Sequence, residues 1–394
     1  MRLGLLCLVL GYTLSQFYRA FLAVLAPALA LDIQAQPEDL SLASGMWFLT
    51  FAAMQLPVGW ALDRFGPRRT ASVLLAVGGA DGALWFATAH APGDIVLAMA
   101  LLGVGCAPVL MASYYIFARS FPAAMFSTLG GAIIGFGSLG NLGASLPTTW
   151  AAQAFGWRET MAALAGVTLL VALALYLFVK DPPRVARRGQ SRGSVLDILK
   201  IPALWGIFPM MFTNYAAAAG IRGLWIGPYL GDVFGLDGDG IGAITMVMGL
   251  AMIAGNFAYG PLDRLFRSRK WVVFLGNLCG GLAALSLFVM PHGSLWFAAT
   301  MLAFIGFFGA SFPVLMAHAR AYIPPHLTGR GVTLLNLFGI GGVGLMQAAS
   351  GRLQAAVVDA GGSVVASYSA LFLFFGAALL LGCVAYLFTT DTRG

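Results

Sequence analysis

The sequence predicts an all-α integral membrane protein with twelve transmembrane helices in two pseudo-symmetric six-helix bundles. Three observations predict this fold: an apolar composition, twelve apolar runs long enough to cross a bilayer, and an internal repeat of about 200 residues. Of the 394 residues, 60% are hydrophobic and 9% are charged. Because a soluble domain carries about 25% charged residues, this composition excludes a soluble globular protein, a disordered chain and a secreted disulfide scaffold.

The basic balance of the chain does not indicate a nucleic-acid binder. The net charge is +7 and the sequence pI is about 9.4, but nucleic-acid binding requires basic residues clustered on a water-facing surface. The whole sequence contains three lysines, Lys180, Lys200 and Lys270. We therefore expect the lipid bilayer, and no nucleic acid, as a partner of this chain.

The cysteines lie far apart in apolar runs, without a C-x-x-C pair. This spacing predicts packing residues and no metal site. The sequence also lacks a G-x-x-x-x-G-K nucleotide loop and a catalytic motif, which such chemistry requires. We therefore expect no cofactor, no ATP-driven step in this chain and no enzymatic activity.

A transmembrane helix needs about 20 apolar residues, and polar breaks delimit twelve such runs. The apolar N-terminus is too long for a signal peptide, so we expect it to be the first of them. Numbered spans 1 to 12, they cover residues 4–30, 40–62, 70–90, 94–118, 125–152, 158–179, 203–230, 240–262, 271–291, 294–319, 330–357 and 363–389.

A basic linker at 181–200 divides the chain into bundles at 1–180 and 201–394. Its arginines are Arg184, Arg187, Arg188 and Arg192. Of 22 basic residues, two lie well inside spans, two at the outer loops (Arg158 and Arg352), and the other 18 at the inner loops and tails if the N-terminus is cytoplasmic. Since short cytoplasmic loops carry an excess of Lys and Arg, we expect a multi-pass protein of the cell (plasma or inner) membrane with both termini cytoplasmic.

Two pairs of matching segments define the internal repeat. The segment G-W-A-L-D-R-F-G-P-R-R at 59–69 corresponds to Y-G-P-L-D-R-L-F-R-S-R at 259–269. The five residues P-V-L-M-A at 108–112 recur unchanged at 313–317. Each P-V-L-M-A copy leads to an arginine at the inner end of its span, Arg119 in span 4 and Arg320 in span 10. Parallel repeats of this kind place a solute site near the bilayer midplane.

The segment at 59–69 resembles the signature loop of the major facilitator superfamily, G-x-x-x-D-R-x-G-x-R-R between spans 2 and 3. The resemblance covers essentially the whole chain and implies secondary transport by alternating access. It also implies a cytoplasmic gate in which the loop aspartate is helped by the arginine at the inner end of span 4. The matching positions are Asp63, Arg64 and Arg119, with Asp263, Arg264 and Arg320 in the second copy, which has Phe266 in place of the glycine. The alternative is that these arginines only enforce topology.

Three charged residues fall well inside spans: Arg19, Asp81 and Arg222. A charge at mid-bilayer costs at least about 2.5–3.5 kcal/mol, so each needs a partner or a water-filled cavity. Arg19 in span 1 and Arg222 in span 7 are near-equivalent under the repeat, and the resemblance implies that both spans line the central path. Because guanidinium binds carboxylate or phosphate oxygens bidentately, the pair predicts anion binding, as in the organic-anion and organophosphate branches. A structural pairing of the arginines is the alternative.

Aromatic and imidazole side chains lie near the two arginines in the sequence or on other cavity-lining spans. We expect them to contact the solute, with core packing as the alternative. They are Tyr18, Tyr115, Tyr215, Trp225 and His318.

Asp81 lies among glycines in span 3, G-G-A-D-G. Since glycines allow close helix packing, we expect its carboxylate to face protein. There it could carry a coupling proton or serve as the structural partner of Arg19.

These patterns favour a secondary active transporter that moves a small organic anion, coupled to an ion as a symporter or antiporter or by exchange. We expect a monomer whose partners are the solute and a co-transported ion. One alternative is an efflux transporter for an amphipathic or cationic compound. The other is a transporter-like sensor that binds solute without moving it.

Overall fold

The computed structural model describes residues 2–35, 37–144, 146–183 and 194–392. These residues form helices, turns and short connections, and they contain no strand. The linker arginines predicted from the sequence lie outside the described residues: Arg184, Arg187, Arg188 and Arg192.

The first six spans are built from one or more helices each. Prolines at the first turn begin spans 3 and 4, because proline has no amide proton to leave unbonded there. The structure places span 1 at Arg2–Phe17 and Phe21–Asp32, span 2 at Pro37–Ala53 and Gln55–Phe65, span 3 at Pro67–Leu74, the π-helix Leu75–Ala80 and Asp81–Ala87, span 4 at Pro92–Ser120, span 5 at the 3₁₀ turn Ala123–Met125, Phe126–Gly137, Leu139–Gly143 and Leu146–Phe155, and span 6 at Trp157–Phe178.

The second six spans follow a short helix at Val195–Leu199. Side chains of Ser268, Ser294 and Ser363 accept hydrogen bonds from backbone amides at the starts of spans 9, 10 and 12, as helix-capping residues do. The structure places span 7 at Pro202–Trp205, Phe208–Asn214, Ala216–Gly220, the π-helix Ile221–Trp225 and Ile226–Phe234, span 8 at Gly238–Leu265, span 9 at Arg269–Val289, span 10 at Leu295–Phe308, the 3₁₀ turn Gly309–Ser311 and Phe312–Arg320, span 11 at the 3₁₀ turn Pro325–Leu327 and Thr328–Asp359, and span 12 at Val364–Leu387.

The helices confirm the predicted all-α membrane fold. Among the described residues, nine helices are long and apolar enough to cross a bilayer, and the pair Leu42–Ala53 and Gln55–Phe65, bent by 42°, supplies a tenth. Spans 1 and 7 are not among these ten, and each is interrupted by turn residues, span 1 at Tyr18–Ala20 and span 7 at Gly206–Ile207 and at Tyr215. With these two interrupted spans the count agrees with the twelve that the sequence predicts.

The chain divides into two compact units. Unit 1 contains the described residues of 1–122, 133–195 and 324–334, and unit 2 those of 123–132, 196–323 and 335–394. Each unit therefore includes a short segment from the other half of the sequence: the start of span 11 belongs to unit 1, and the start of span 5 belongs to unit 2.

Glycines bring spans 3 and 4 into backbone contact in unit 1. A Cβ atom on Gly78 would lie 2.5 Å from the amide nitrogen of Gly105, and one on Gly105 would lie 2.0 Å from that of Gly79. Only residues without a side chain allow this approach. Asp81 is exposed, on the same side of span 3 as the exposed Val77. The expectation that the glycines turn the Asp81 carboxylate toward protein is therefore wrong.

Equivalent polar contacts join the outer ends of the helices within each unit. In unit 1, Asp32 at the end of span 1 accepts hydrogen bonds from Arg158 and from the Trp157 indole, the latter at 3.0 Å. In unit 2, Asp232 near the end of span 7 accepts a hydrogen bond from the Tyr368 hydroxyl. Each acid thus ties the first span of its sequence half to the last.

Candidate functional site

Arg19 lies at the interruption of span 1. The three residues Tyr18–Ala20 form a turn between two helices, and the second helix has no side-chain cap at its N-terminus. The guanidinium carbon of Arg19 lies 4.9 Å from the ring centroid of Trp47 and 5.1 Å from that of Phe51. These two rings stack on each other at 4.9 Å along span 2, so the guanidinium lies across a pair of aromatic faces, a favourable cation–π geometry.

The Nε atom of Arg19 is buried and has no hydrogen-bond partner. Ion pairs among the described residues do not include Arg19, and Asp81, its alternative structural partner, is exposed and takes part in none of them. Aromatic rings stabilise the cation but accept no conventional hydrogen bond. The Nε–H group of Arg19 is therefore a buried hydrogen-bond donor without an acceptor.

Arg222 lies in the π-helix Ile221–Trp225 of span 7, so it too occupies a place where regular helix geometry is broken. Its Nε atom is likewise buried without a hydrogen-bond partner, and it forms none of the ion pairs found among the described residues. The guanidinium lies against Gly249 of span 8, where an added Cβ would be 3.1 Å from Nη2 and 3.3 Å from Nε. π-helical turns are frequent at functional sites.

Two of the predicted aromatic residues direct their polar atoms to other parts of their own unit. The hydroxyl of Tyr18 is fully buried and shares a hydrogen bond of 2.7 Å with Thr168 of span 6. The indole of Trp225 donates to the hydroxyl of Ser350 in span 11 at 2.9 Å. Both residues hold the interrupted spans in place, and neither offers its polar atom to a solute.

The other predicted contacts lie toward the inner ends of their spans or at a break. Arg119 donates to the Tyr115 hydroxyl at 2.9 Å. His318 is fully buried, with Nδ1 hydrogen-bonded to the Tyr386 hydroxyl and Nε2 2.8 Å from the carbonyl oxygen of Thr390. Tyr215 lies at the break between the helices Phe208–Asn214 and Ala216–Gly220 of span 7 and packs against the core of unit 2. Because both nitrogens of His318 are engaged, we leave this residue out of the solute site.

Asp63 at the inner end of span 2 binds the start of span 11 within unit 1. Its carboxylate accepts hydrogen bonds from the backbone amides of Gly329 at 2.9 Å and of Arg330 at 3.3 Å. The guanidinium of Arg330 lies 3.8 Å away. Arg119 instead donates to the carbonyl oxygen of Pro183 at 2.8 Å. The expected Asp63–Arg119 pair is thus replaced by contacts with the start of the span 11 helix, where backbone amides are unbonded.

Asp263 at the inner end of span 8 is fully buried within unit 2. It pairs with Arg269 at 3.3 Å and accepts a hydrogen bond of 2.7 Å from the hydroxyl of Ser127 at the start of span 5. Next to it, Arg264 donates to the Thr128 hydroxyl at 3.0 Å. The guanidinium carbon of Arg320 lies 5.6 Å from the ring centroid of Phe126. The ion-pair partner of Asp263 is therefore Arg269 and not the expected Arg320.

Sequence reasoning missed the residues that surround the two arginines. Trp47 and Phe51 lie in the apolar run of span 2, and Gly249 lies in the apolar run of span 8. Nothing in their spacing distinguishes these three residues from ordinary packing residues. Arg330 and Arg269 were counted only as basic residues of inner loops. Arg269 is the last residue of the second signature segment and Arg330 is 267 positions from Asp63, and neither spacing signals a pairing.

Interrupted spans that carry unpaired intramembrane arginines, in a chain of two repeated halves, define a multi-pass membrane transporter of the secondary type. The sequence profile of the Major Facilitator Superfamily matches residues 8–225 and 207–394, and the chain belongs to this superfamily. The resemblance read from residues 59–69 is thereby confirmed.

Similar proteins include transporters of several kinds of small molecule. The chain is 27% identical over 320 residues to a probable sulfoacetate transporter of Cupriavidus necator, covering 76% of this chain and 72% of the relative. It is 30% identical over 129 residues to a probable sugar efflux transporter of Helicobacter pylori, covering 31% of this chain and 30% of the relative.

Solved structures of the superfamily share the fold. A proton:xylose symporter aligns with a TM-score of 0.79 at 15% identity over 99% of this chain and 96% of that one. A human organic anion transporter aligns with a TM-score of 0.75 at 18% identity over 98% of this chain and 99% of that one. At these identities the likeness concerns the fold alone.

Proposed function

We propose that this protein transports a small organic anion, with Arg19 and Arg222 as its anion-binding residues. The proposal depends on one observation: both arginines are buried at Nε and lack a hydrogen-bond acceptor there. Each lies where its span departs from regular α-helix, each has a buried Nε without a hydrogen-bond partner, and the ion pairs of the described residues include neither.

Energetics support this choice over a purely structural role. An uncompensated arginine at mid-bilayer costs at least about 2.5–3.5 kcal/mol, and the cation–π contacts of Arg19 recover about 1–2 kcal/mol of that. An anionic solute supplies the missing compensation for each guanidinium. Selection for solute binding explains why two such costly residues occur at repeat-equivalent positions.

The chemistry of one relative narrows the solute class. Sulfoacetate, in the name of the Cupriavidus necator relative, carries a sulfonate and a carboxylate. Both groups present planar or tripodal oxygens that a guanidinium fork can bind. We therefore propose short sulfonates and carboxylates as the solutes to test first.

The transport cycle uses the sequence halves 1–180 and 201–394 as alternating bundles in this proposal. Asp63 and Asp263 act as cytoplasmic gate residues, because each binds the start of a span from the other sequence half, Asp63 at Gly329 and Asp263 at Ser127. We further propose that the protein is a monomer in the inner membrane with both termini cytoplasmic. Its transport is driven by a co-transported proton or by exchange of one solute for another. We assign no coupling role to Asp81 in this proposal, because its carboxylate is exposed and lacks the burial on which that prediction depended.

Uptake of radiolabelled sulfoacetate into proteoliposomes tests the anion-binding role. We expect Arg19→Gln and Arg222→Gln each to raise KM or lower uptake by at least tenfold, since each loses a charge-assisted contact worth about 1.5–3 kcal/mol. Arg352→Gln is the matched control, because Arg352 is an exposed arginine of span 11. Unchanged uptake and KM in both variants would show that the arginines are structural.

A second candidate is export, which the relative named as a probable sugar efflux transporter favours. Transport of short sulfonates, carboxylates and a neutral sugar is measured in everted and in right-side-out vesicles, which distinguishes export from import. Accumulation of a neutral sugar, undiminished in Arg19→Gln and Arg222→Gln, supports export of uncharged solutes and contradicts the anion proposal.

A further inference from the structure

Trp47 contacts Arg19, and its indole nitrogen has no hydrogen-bond acceptor. Its side chain is 1% exposed, and its indole Nε1 is buried without a hydrogen-bond partner. Buried tryptophan N–H groups ordinarily find an acceptor. The guanidinium carbon of Arg19 lies 4.9 Å from the Trp47 ring centroid, so two buried donors without acceptors, Trp47 Nε1–H and Arg19 Nε–H, lie on neighbouring side chains.

The chemistry of these two donors specifies what they can bind. Indole and guanidinium only donate hydrogen bonds and cannot satisfy one another. A third group must therefore supply the acceptors, and a carboxylate or sulfonate offers acceptor oxygens with no competing donor. A neutral alcohol would also accept, but it would leave the arginine charge uncompensated.

We infer that Trp47 is a solute-binding residue whose indole N–H donates to an oxygen of the organic anion bound by Arg19. The inference rests on the proposed function and adds to it a neutral donor in span 2. The ring face of Trp47 supports the guanidinium, and its edge carries the N–H, so one side chain both positions Arg19 and contacts the solute.

The backbone around Trp47 is fixed by span 4. Thr50, one turn away, donates its hydroxyl to the carbonyl oxygen of Ala100 at 2.8 Å. A Cβ on Gly103 would lie 2.4 Å from the carbonyl oxygen of Trp47, so spans 2 and 4 pack backbone to backbone at this level. A donor held this rigidly loses little entropy when the solute binds.

Trp225 in unit 2 shows that an open indole N–H is not a general property of these spans. Its N–H donates to Ser350, and the guanidinium of Arg222 lies against Gly249. Among the described residues, a buried indole N–H without an acceptor therefore lies beside Arg19 and not beside Arg222.

The test measures sulfoacetate binding to the purified full-length protein by calorimetry, with indole N–H resonances followed by NMR. Trp47→Phe keeps an aromatic face for Arg19 and removes only the N–H. We expect its Kd to rise at least tenfold, the factor for one lost hydrogen bond to a charged group. Trp150→Phe, at a tryptophan 64% exposed, is the matched control and is expected to change Kd less than twofold.

NMR keeps the inference testable if Trp47→Phe is poorly folded. The protein has nine tryptophans, and in that case the Trp47 signal is assigned by its loss in Trp47→Tyr. Saturating sulfoacetate is expected to move that indole proton downfield in the wild type and not in Arg19→Gln. An unmoved Trp47 signal, or an unchanged Kd in folded Trp47→Phe, overturns the inference.

The outcomes separate this inference from the proposed function. Loss of binding in Arg19→Gln with full binding in Trp47→Phe removes the indole contact and keeps the anion site. Equal binding by wild type and Arg19→Gln, or no binding of short sulfonates and carboxylates by the wild type, removes both.

Discussion

The inner ends of the two units carry the same D-R motif but use it differently. In unit 1, Asp63 binds two backbone amides of Gly329 and Arg330, and the guanidinium of Arg330 is 3.8 Å away. In unit 2, Asp263 is fully buried and binds side chains, Arg269 at 3.3 Å and Ser127 at 2.7 Å. Unit 1 thus relies on main-chain donors at a helix start, and unit 2 on a buried ion pair.

This difference follows from a few residues of the repeated segment. Gly66 has φ of 90°, and an added Cβ would lie 2.6 Å from a carboxylate oxygen of Asp181. The second copy has Phe266 at the matching position, and Arg269, at the position matching Arg69, is turned inward onto Asp263. Arg69 is exposed. A motif shared by two repeats therefore does not imply a shared set of contacts.

The largest expected effect comes from breaking the buried pair of unit 2. Asp263→Ala leaves the guanidinium of Arg269, whose side chain is 4% exposed, without its partner. Removing one member of a buried ion pair costs about 3–5 kcal/mol. We expect the apparent Tm of the purified protein, followed by tryptophan fluorescence, to fall by roughly 5 °C or more.

A double variant shows whether the unpaired charge causes that loss. Asp263→Ala combined with Arg269→Met removes both charges, and we expect it to recover much of the apparent Tm, because an apolar replacement of a buried pair is often neutral. An apparent Tm of Asp263→Ala equal to that of the wild type would mean that the pair contributes nothing.

A smaller effect is expected where unit 1 depends on close backbone approach. In Gly329→Ala the new Cβ would lie 2.7 Å from Asp63 Oδ1 and 2.7 Å from the carbonyl oxygen of Gly59. The carboxylate must then move off the two amides, and we expect a loss of about 1–2 kcal/mol, one to two net hydrogen bonds.

Gly341→Ala in the same span is the matched control for this prediction, since an added Cβ there meets nothing within 4 Å. Apparent Tm and uptake rate are measured for both variants. If Gly329→Ala matches Gly341→Ala in both quantities, the Asp63 contact is not maintained in the membrane.

The spans and the intramembrane arginines could be predicted from the sequence because both depend on local composition. Twelve apolar runs and the two arginines within them are visible without any knowledge of packing. The interruptions of spans 1 and 7 are harder to predict. Polar residues do precede both breaks, Ser15 and Gln16 in span 1 and Thr213 and Asn214 in span 7, but the same residue types also occur inside unbroken membrane helices.

The residues around the site could not be predicted, because they depend on which faces of distant helices meet. Trp47 and Arg19 are separated by 28 positions and Asp63 and Arg330 by 267. The direction of the Asp81 side chain could not be predicted either, although it depends on a single span. The π-helix Leu75–Ala80 precedes it, and such a wide turn changes which face the following residues occupy, so the glycines beside Asp81 pack while its carboxylate is exposed.

The smallest expected effect concerns two equivalent acids just beyond spans 6 and 12. Asp181 accepts a hydrogen bond from the Arg68 amide at 2.8 Å, and Asp391 one from the Lys270 amide at 3.0 Å. Burial opposes the charged form of Asp391, but hydrogen bonds from the Ser268 hydroxyl and the Lys270 amide outweigh it and lower the pKa of this carboxyl. The folded state therefore favours the carboxylate over the protonated acid.

The sign of the pH dependence follows from that lowered pKa. The stabilisation by Asp391 is complete above its ordinary pKa of 3.8 and is lost as the pH falls through the lower value in the folded protein. Because the side chain is exposed, we expect less than about 1 kcal/mol. Apparent Tm is measured from pH 6 to pH 3 in wild type and Asp391→Asn, the range in which such carboxyls titrate. We expect the variant to start slightly lower at pH 6 and to meet the wild type at acid pH. A constant difference across this range would show that Asp391 acts through packing and not through its charge.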